Sequence, residues 1–145
     1  MKMMQQGFSL VSAIFLLVVI AALGAFAVTL STTQQQSSAL DLLGARAYHA
    51  ARAGIDWGVY QLLPNSAVAG GYAANCRAGA TSQVFAAGTL PGTLSVFEVN
   101  VGCAATSAVE AGTPINIYQL TSTATLGVVA TPTYVERQIG VTIAQ

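Results

Sequence analysis

The feature that most constrains this chain is an apolar run without a single charged residue, residues 8–30. As a helix this run is roughly 34 Å long at about 1.5 Å per residue, and the hydrocarbon layer of a bilayer is about 30 Å thick. Lys2 precedes the run, and the next basic residue is Arg46. Because cytoplasmic flanks are enriched in basic residues, we expect one membrane span, a cytoplasmic N-terminus and the rest of the chain outside the cytoplasm.

The composition argues against an enzyme and against nucleic-acid binding. Only 7% of the 145 residues are charged, against about 25% in an average soluble domain, and the balanced charges give no basic field for nucleic acid. One His and two Cys are too few for a closed zinc site. Asp41 and Asp56, if both lie on one helix, are roughly 22 Å apart, too far for a paired-carboxylate site. We therefore expect no catalytic residue, no metal and no cofactor.

Three interpretations of the N-terminus remain open. An ordinary secretory signal would end at Ala25-Phe26-Ala27, a small-x-small cleavage site, and would release a secreted binding domain. A plain signal anchor would keep the apolar run uncut. The third interpretation depends on Gly7-Phe8-Ser9-Leu10-Val11, which stands where the polar leader meets the apolar run.

The leader 1–7 followed by Phe8-Ser9-Leu10-Val11 resembles the N-terminal signal of type IV pilins and type II secretion pseudopilins. The resemblance implies that a prepilin peptidase cuts between Gly7 and Phe8 on the cytoplasmic side and methylates the new N-terminal Phe8. It also implies that residues 8–30 are retained as a transmembrane and filament-core helix, in the inner membrane of a bacterium.

Residues 31–63 contain no proline and predict an amphipathic helix that continues into a head domain. An apolar stripe recurs at three- and four-residue steps through Leu40, Leu43, Ala47, Ala50, Gly54 and Trp57. We expect Gly54, Trp57 and Gly58 to pack this helix on a sheet, with Trp57 as the anchor that packs the helix onto the domain; a helix–helix crossing through the two glycines is the alternative. A single helix over 8–63 would be roughly 84 Å long, so its first half needs lipid or neighbouring copies around it.

A closer resemblance is to the minor pilins of the mannose-sensitive haemagglutinin (MSHA) pilus system, and more loosely to PilX-like minor pilins. It is carried by the segment that starts at Gly7-Phe8, by Ala45-Arg46-Ala47-Tyr48 and by Ala51-Arg52-Ala53-Gly54-Ile55-Asp56-Trp57-Gly58. The implied partners are other major and minor pilins, the prepilin peptidase and the inner-membrane pilus assembly platform. The implied location is the inner membrane before assembly and the pilus or cell surface afterwards.

Ser12 departs from the pattern of the family. Most members carry Glu at the fifth mature position, where its carboxylate faces the amine of the preceding subunit, and counting from Phe8 that position is Ser12. A subunit with nothing ahead of it needs no such carboxylate. The resemblance therefore favours a place at the filament tip or in a priming complex; a tolerated exchange in the shaft is the alternative, as is a pseudopilin of a type II secretion system.

Residues 64–145 predict a β-rich head outside the cytoplasm. We expect a loop over 65–80 and strands over 95–101, 115–126 and 134–143, with turns at Thr113-Pro114 and Thr131-Pro132-Thr133. The predicted fold is α+β, with the long helix on one face of a three- or four-stranded antiparallel meander. Cys76, on the loop, and Cys103, at a strand end, are expected to form a disulfide on the oxidising side, the alternative being two buried thiols.

Overall fold

The computed structural model describes residues 8–63 and 70–145, so Gly7 and Pro64 lie outside the described residues. The chain forms two compact units, Met1–Ala39 and Leu40–Gln145, and the second is called the head below. The elements are α1 (Phe8–Leu62), α2 (Tyr72–Ala78), β1 (Thr81–Phe85), a 3₁₀ turn (Gly92–Leu94), β2 (Glu98–Glu110), β3 (Thr113–Leu126) and β4 (Val135–Ala144).

The described residues of the first unit all belong to α1. Their side chains from Leu10 onward are exposed, and the most apolar window of the helix has a mean hydropathy of 2.8. The hydroxyls that follow bond within the helix, since Thr32 Oγ1 donates to Val28 O at 2.7 Å and Thr33 Oγ1 to Thr29 O at 3.0 Å. Internally satisfied hydroxyls are tolerated in apolar surroundings, and α1 is long and apolar enough to cross a membrane.

The head is a four-stranded antiparallel sheet in the order β1-β2-β3-β4, with the C-terminal part of α1 packed on one face. Alternate residues of β2 and β3 point toward the helix, and Val99, Val101, Leu120 and Ala124 are almost fully buried there. This alternation is the period of two that a half-covered sheet requires. The predicted α+β architecture, with a long helix on an antiparallel sheet, is confirmed.

The prediction of a loop over 65–80 is wrong for its second part, because Tyr72–Ala78 is the helix α2. Ala73 and Cys76, three residues apart, point into the core and are buried, and such contacts with distant parts of the chain override a weak local propensity. The strand β1 was not among the three predicted strands. Its side chains are exposed apart from the half-buried Thr81 and Phe85, so it lacks the strong apolar alternation that marks the others.

The predicted turn at Thr113-Pro114 is also wrong. Strand β2 continues to Glu110, and the turn is formed by Ala111 and Gly112, whose φ angles are 49° and 81°, as a two-residue hairpin turn requires. Pro114 lies within β3 opposite Val109. Asn116 exchanges backbone bonds with Gln145, so by alternation the nitrogen of Pro114 points away from β2 and no ladder bond is lost. The turn over 131–133 is where it was predicted.

Candidate functional site

Helix α1 packs closely on the sheet along a seam at Gly54 and Gly58. On the helix side it consists of small residues, and on the sheet side of branched side chains from β2 and β3. A β-carbon added at Gly54 would lie 2.8 Å from Val99 Cγ1 and 2.9 Å from Val101 Cγ2, distances that real β-carbons do not adopt. Gly54 therefore lets the helix backbone approach the sheet directly.

Gly58 lies one helical turn further along the same seam. A β-carbon there would lie 3.2 Å from both methyl groups of Leu120 and 3.3 Å from Val101 Cγ1, which is tight but not prohibitive. Both glycines face the sheet of their own head, the first of the two arrangements considered for them. Gly44, on the same helix, would meet only the end of the flexible Arg137 side chain, at 3.1 Å.

Ser122 carries a polar atom buried in the seam. Its side chain is fully buried, and no hydrogen-bond partner of Oγ is found in the part of the chain that the structure describes. A β-carbon at Gly54 would overlap with this oxygen, so there is no room for a ligand between the two residues. Burial of this hydroxyl therefore lowers the stability of the head, and the close packing of α1 on the sheet imposes it.

We expect Ser122→Ala to stabilise the head by about 1 kcal/mol, because it removes a buried hydroxyl whose desolvation is not compensated by a hydrogen bond. The change is read from urea unfolding of the full-length chain in detergent, followed through Trp57, the single tryptophan. Thr121→Ala is the matched control, since Thr121 is the neighbouring residue on β3 and is only half-buried. A lower midpoint for Ser122→Ala would show that the hydroxyl makes a stabilising bond.

Trp57 is half-buried and packs against the hydrophobic core of the head. Its indole makes edge contacts with the rings of Tyr72 and Phe85, each with centroids 5.0 Å apart. Its other surface lines an apolar cleft of about 240 Å³, together with Ala53, Gly54, Phe85, Thr89, Leu90, Pro91 and Val99. The residues between β1 and β2 fill only part of the space beside the indole. Sequence periodicity does not predict such a cleft, because it depends on how a loop packs.

Cys76 and Cys103 form a disulfide. Their positions differ from the prediction, since Cys76 lies on α2 and Cys103 within β2, opposite Thr81. Two hydrogen bonds flank the disulfide. Tyr72 Oη donates to Val101 O at 2.9 Å, and Arg77 Nη1 donates to Tyr118 Oη at 2.8 Å. Burial raises the pKa of Tyr72 to about 12, so this phenol keeps its proton, and its ability to donate, to a higher pH than an exposed tyrosine does.

The N-terminal site residues remain predictions. Phe8 is the first residue of α1, and Ser12 lies on an exposed part of the same helix, while Gly7 is outside the described residues. Within 8–63 and 70–145, no three side chains of His, Cys, Asp or Glu come together in a way that could hold a metal ion.

No protein-family model, no curated protein and no solved structure matches this chain. Function is therefore inferred from the chain's own residues and from the resemblance of its N-terminal and mid-helix motifs.

Proposed function

We propose that this chain is a minor pilin-like subunit of a type IV, MSHA-type pilus assembly system. The observation that carries the proposal is the makeup of α1: its first part is free of charge with exposed apolar side chains, and its last part packs on a four-stranded antiparallel sheet. The border residues Gly7 and Phe8 stand where a prepilin peptidase would cut.

An apolar helix of this kind needs apolar surroundings both before and after the filament is assembled. In water its exposed leucines, valines and isoleucines would aggregate, since burial of each such side chain is worth about 1.5–3 kcal/mol. The inner membrane supplies the apolar surroundings before assembly, and the helices of other major and minor pilins supply them in the filament. The prepilin peptidase and the assembly platform act on the chain between these two states.

Ser12 supports a place at the tip or in a priming complex. A carboxylate buried in an apolar filament core is costly without a partner amine, and a hydroxyl in a helix can instead bond to the backbone at little cost. A subunit with no neighbour ahead of it gains nothing from a carboxylate here. Its own amine at Phe8 can still receive the carboxylate of the next subunit.

The mature N-terminus tests the proposal. Intact-mass analysis of protein extracted from membranes of cells with a prepilin peptidase is expected to show loss of residues 1–7 and gain of one methyl group on Phe8. Gly7→Leu is expected to block this processing, and Ala27→Leu to leave it unchanged. Val28 as the first residue would contradict the proposal, because it would establish ordinary signal-peptide cleavage and a secreted domain.

A further inference from the structure

The segment formed by α2 and β1, called the latch here, carries little of the hydrophobic core. Among the described residues of the head, the latch contributes two fully buried side chains, Ala73 and Cys76, while Tyr72 and Phe85 are partly buried against the core. The remaining core lies on α1, β2, β3 and β4 and at Phe97, just before β2. The core can therefore stay packed when the latch is undocked.

The latch has little stability of its own. Helix α2 has seven residues and no side-chain cap at its start, and isolated helices shorter than about 12–15 residues are marginal in water. Strand β1 is an edge strand of five residues paired with β2 only. The latch is held by the β1–β2 backbone pairing, by the ring contacts of Tyr72 and Phe85 with Trp57, by the hydrogen bonds of Tyr72 and Arg77, and by one covalent link, the bond between Cys76 and Cys103.

The disulfide lies at the point where it controls both parts of the latch. Cys76 is on α2, and its partner Cys103 is directly opposite Thr81, the first residue of β1. The bond therefore fixes the helix against β2 and starts the β1–β2 pairing in register. Without it, closing the loop that links the two cysteines costs chain entropy that the exposed side chains of β1 do not repay.

We propose that the latch closes only when Cys76 and Cys103 are oxidised, and that its closure completes the apolar cleft beside Trp57. In the dithiol chain, α1 and β2–β4 are folded while α2 and β1 are undocked. One cysteine thiolate attacks a disulfide of an exchange partner, and the other then displaces the partner from the mixed disulfide. Two protons and two electrons leave the chain, and the partner departs as a dithiol.

Both aromatic neighbours of Trp57 belong to the latch. Tyr72 is the first residue of α2 and Phe85 the last residue of β1, and Phe85 is also a wall of the cleft. Opening the latch removes both ring contacts and this wall. The apolar cleft is thus a surface of the oxidised head alone, and the thiol state of the chain decides whether it exists. This inference does not depend on the proposed filament role.

Hydrogen exchange of the full-length chain in detergent tests the inference by comparing the native disulfide with the Cys76→Ala/Cys103→Ala double variant. Amide protection in Tyr72–Ala78 and Thr81–Phe85 is expected to fall on the order of 100-fold in the variant. Without the bond, docking of the latch must also overcome the entropy cost of closing the loop between positions 76 and 103. Protection in β2, β3, β4 and the head part of α1 is expected to persist. Trp57 emission shifts to longer wavelength as its ring contacts are lost.

Two further samples complete the test. Tyr72→Phe with the disulfide intact removes the bond to Val101 and keeps the ring, and it is expected to retain protection of the latch. Wild-type chain refolded under reductant is expected to reproduce the pattern of the double variant without any substitution. Equal loss of protection across all four strands, or unchanged protection in the latch, would overturn the inference.

Discussion

Gly54→Ala is expected to destabilise the head by about 3 kcal/mol or more, at the upper end of the cost of overpacking a core. The added β-carbon would overlap with Ser122 Oγ and would lie 2.8 and 2.9 Å from methyl groups of Val99 and Val101. These contacts come from three residues on two adjacent central strands, so no single rotamer change relieves them. The helix must lift from the sheet, and the buried side chains along the seam then lose their contacts.

Two other glycines of α1 provide matched controls for this substitution. Gly58→Ala, whose nearest contacts are 3.2 Å away, is expected to cost less, and Gly44→Ala, which meets only the flexible Arg137 side chain, is expected to be nearly neutral. Urea unfolding of the full-length chain in detergent, followed by Trp57 fluorescence, ranks the three variants. Equal midpoints for Gly54→Ala and Gly44→Ala would contradict the described seam.

Ser122→Ala should partly rescue Gly54→Ala. It removes the oxygen that makes the shortest contact and leaves those with the two valines, so the cost in the double variant is expected to be smaller than the sum of the single effects. Residues in direct contact couple by about 0.5–3 kcal/mol in such cycles. If the changes in unfolding free energy of the two single variants add up in the double variant, Ser122 and Gly54 are not in contact.

Phe97→Ala is expected to cost about 3–5 kcal/mol, the usual range for removing a buried aromatic side chain. The Phe97 ring is fully buried and lies where the chain enters β2, with its backbone N–H bonded to Leu94 O at 3.1 Å. Contacts with the core fix the ring, so the space left behind is not filled by a simple rotamer change.

Val96 supplies the control for Phe97, because it precedes Phe97 in the chain and is 48% exposed. Val96→Ala is expected to change the unfolding free energy by less than about 0.5 kcal/mol, as surface substitutions usually do. Thermal unfolding by near-ultraviolet circular dichroism measures both variants under identical conditions. Similar losses for the two variants would contradict the burial of Phe97 and the exposure of Val96.

The elements that were predicted correctly are those whose signal is local and repetitive. The strands predicted over 115–126 and 134–143 match β3 and β4 to within two residues, because side chains in a strand alternate between two faces with a period that is visible in the sequence. The charge-free run and the apolar stripe likewise predicted a long helix. Pro114 misled the prediction of the turn, because a proline whose nitrogen points away from the partner strand is compatible with pairing.

The parts that were missed depend on residues far apart in the chain. Helix α2 is rich in Ala and has no side-chain cap at its start, and it is held by Cys103, Val101 and Tyr118 on distant strands. The half-exposed state of Trp57 depends on how the residues between β1 and β2 fill the space beside it. Ser122 Oγ has no hydrogen-bond partner among the described residues because it lies against Gly54. The residues that flank Ser122 and Gly54 in sequence do not indicate that the two come into contact.

Immunogold labelling of sheared pili tests the proposed role most directly. An antibody to an epitope tag placed in the exposed β3–β4 turn at Val129 is expected to label one end of filaments from wild-type cells. Cells that carry Gly7→Leu, in which the leader is retained, are expected to yield unlabelled filaments or none. Protein that is absent from all filaments and stays in the membrane fraction of wild-type cells would contradict a pilus subunit, and label along the whole shaft would contradict the tip position.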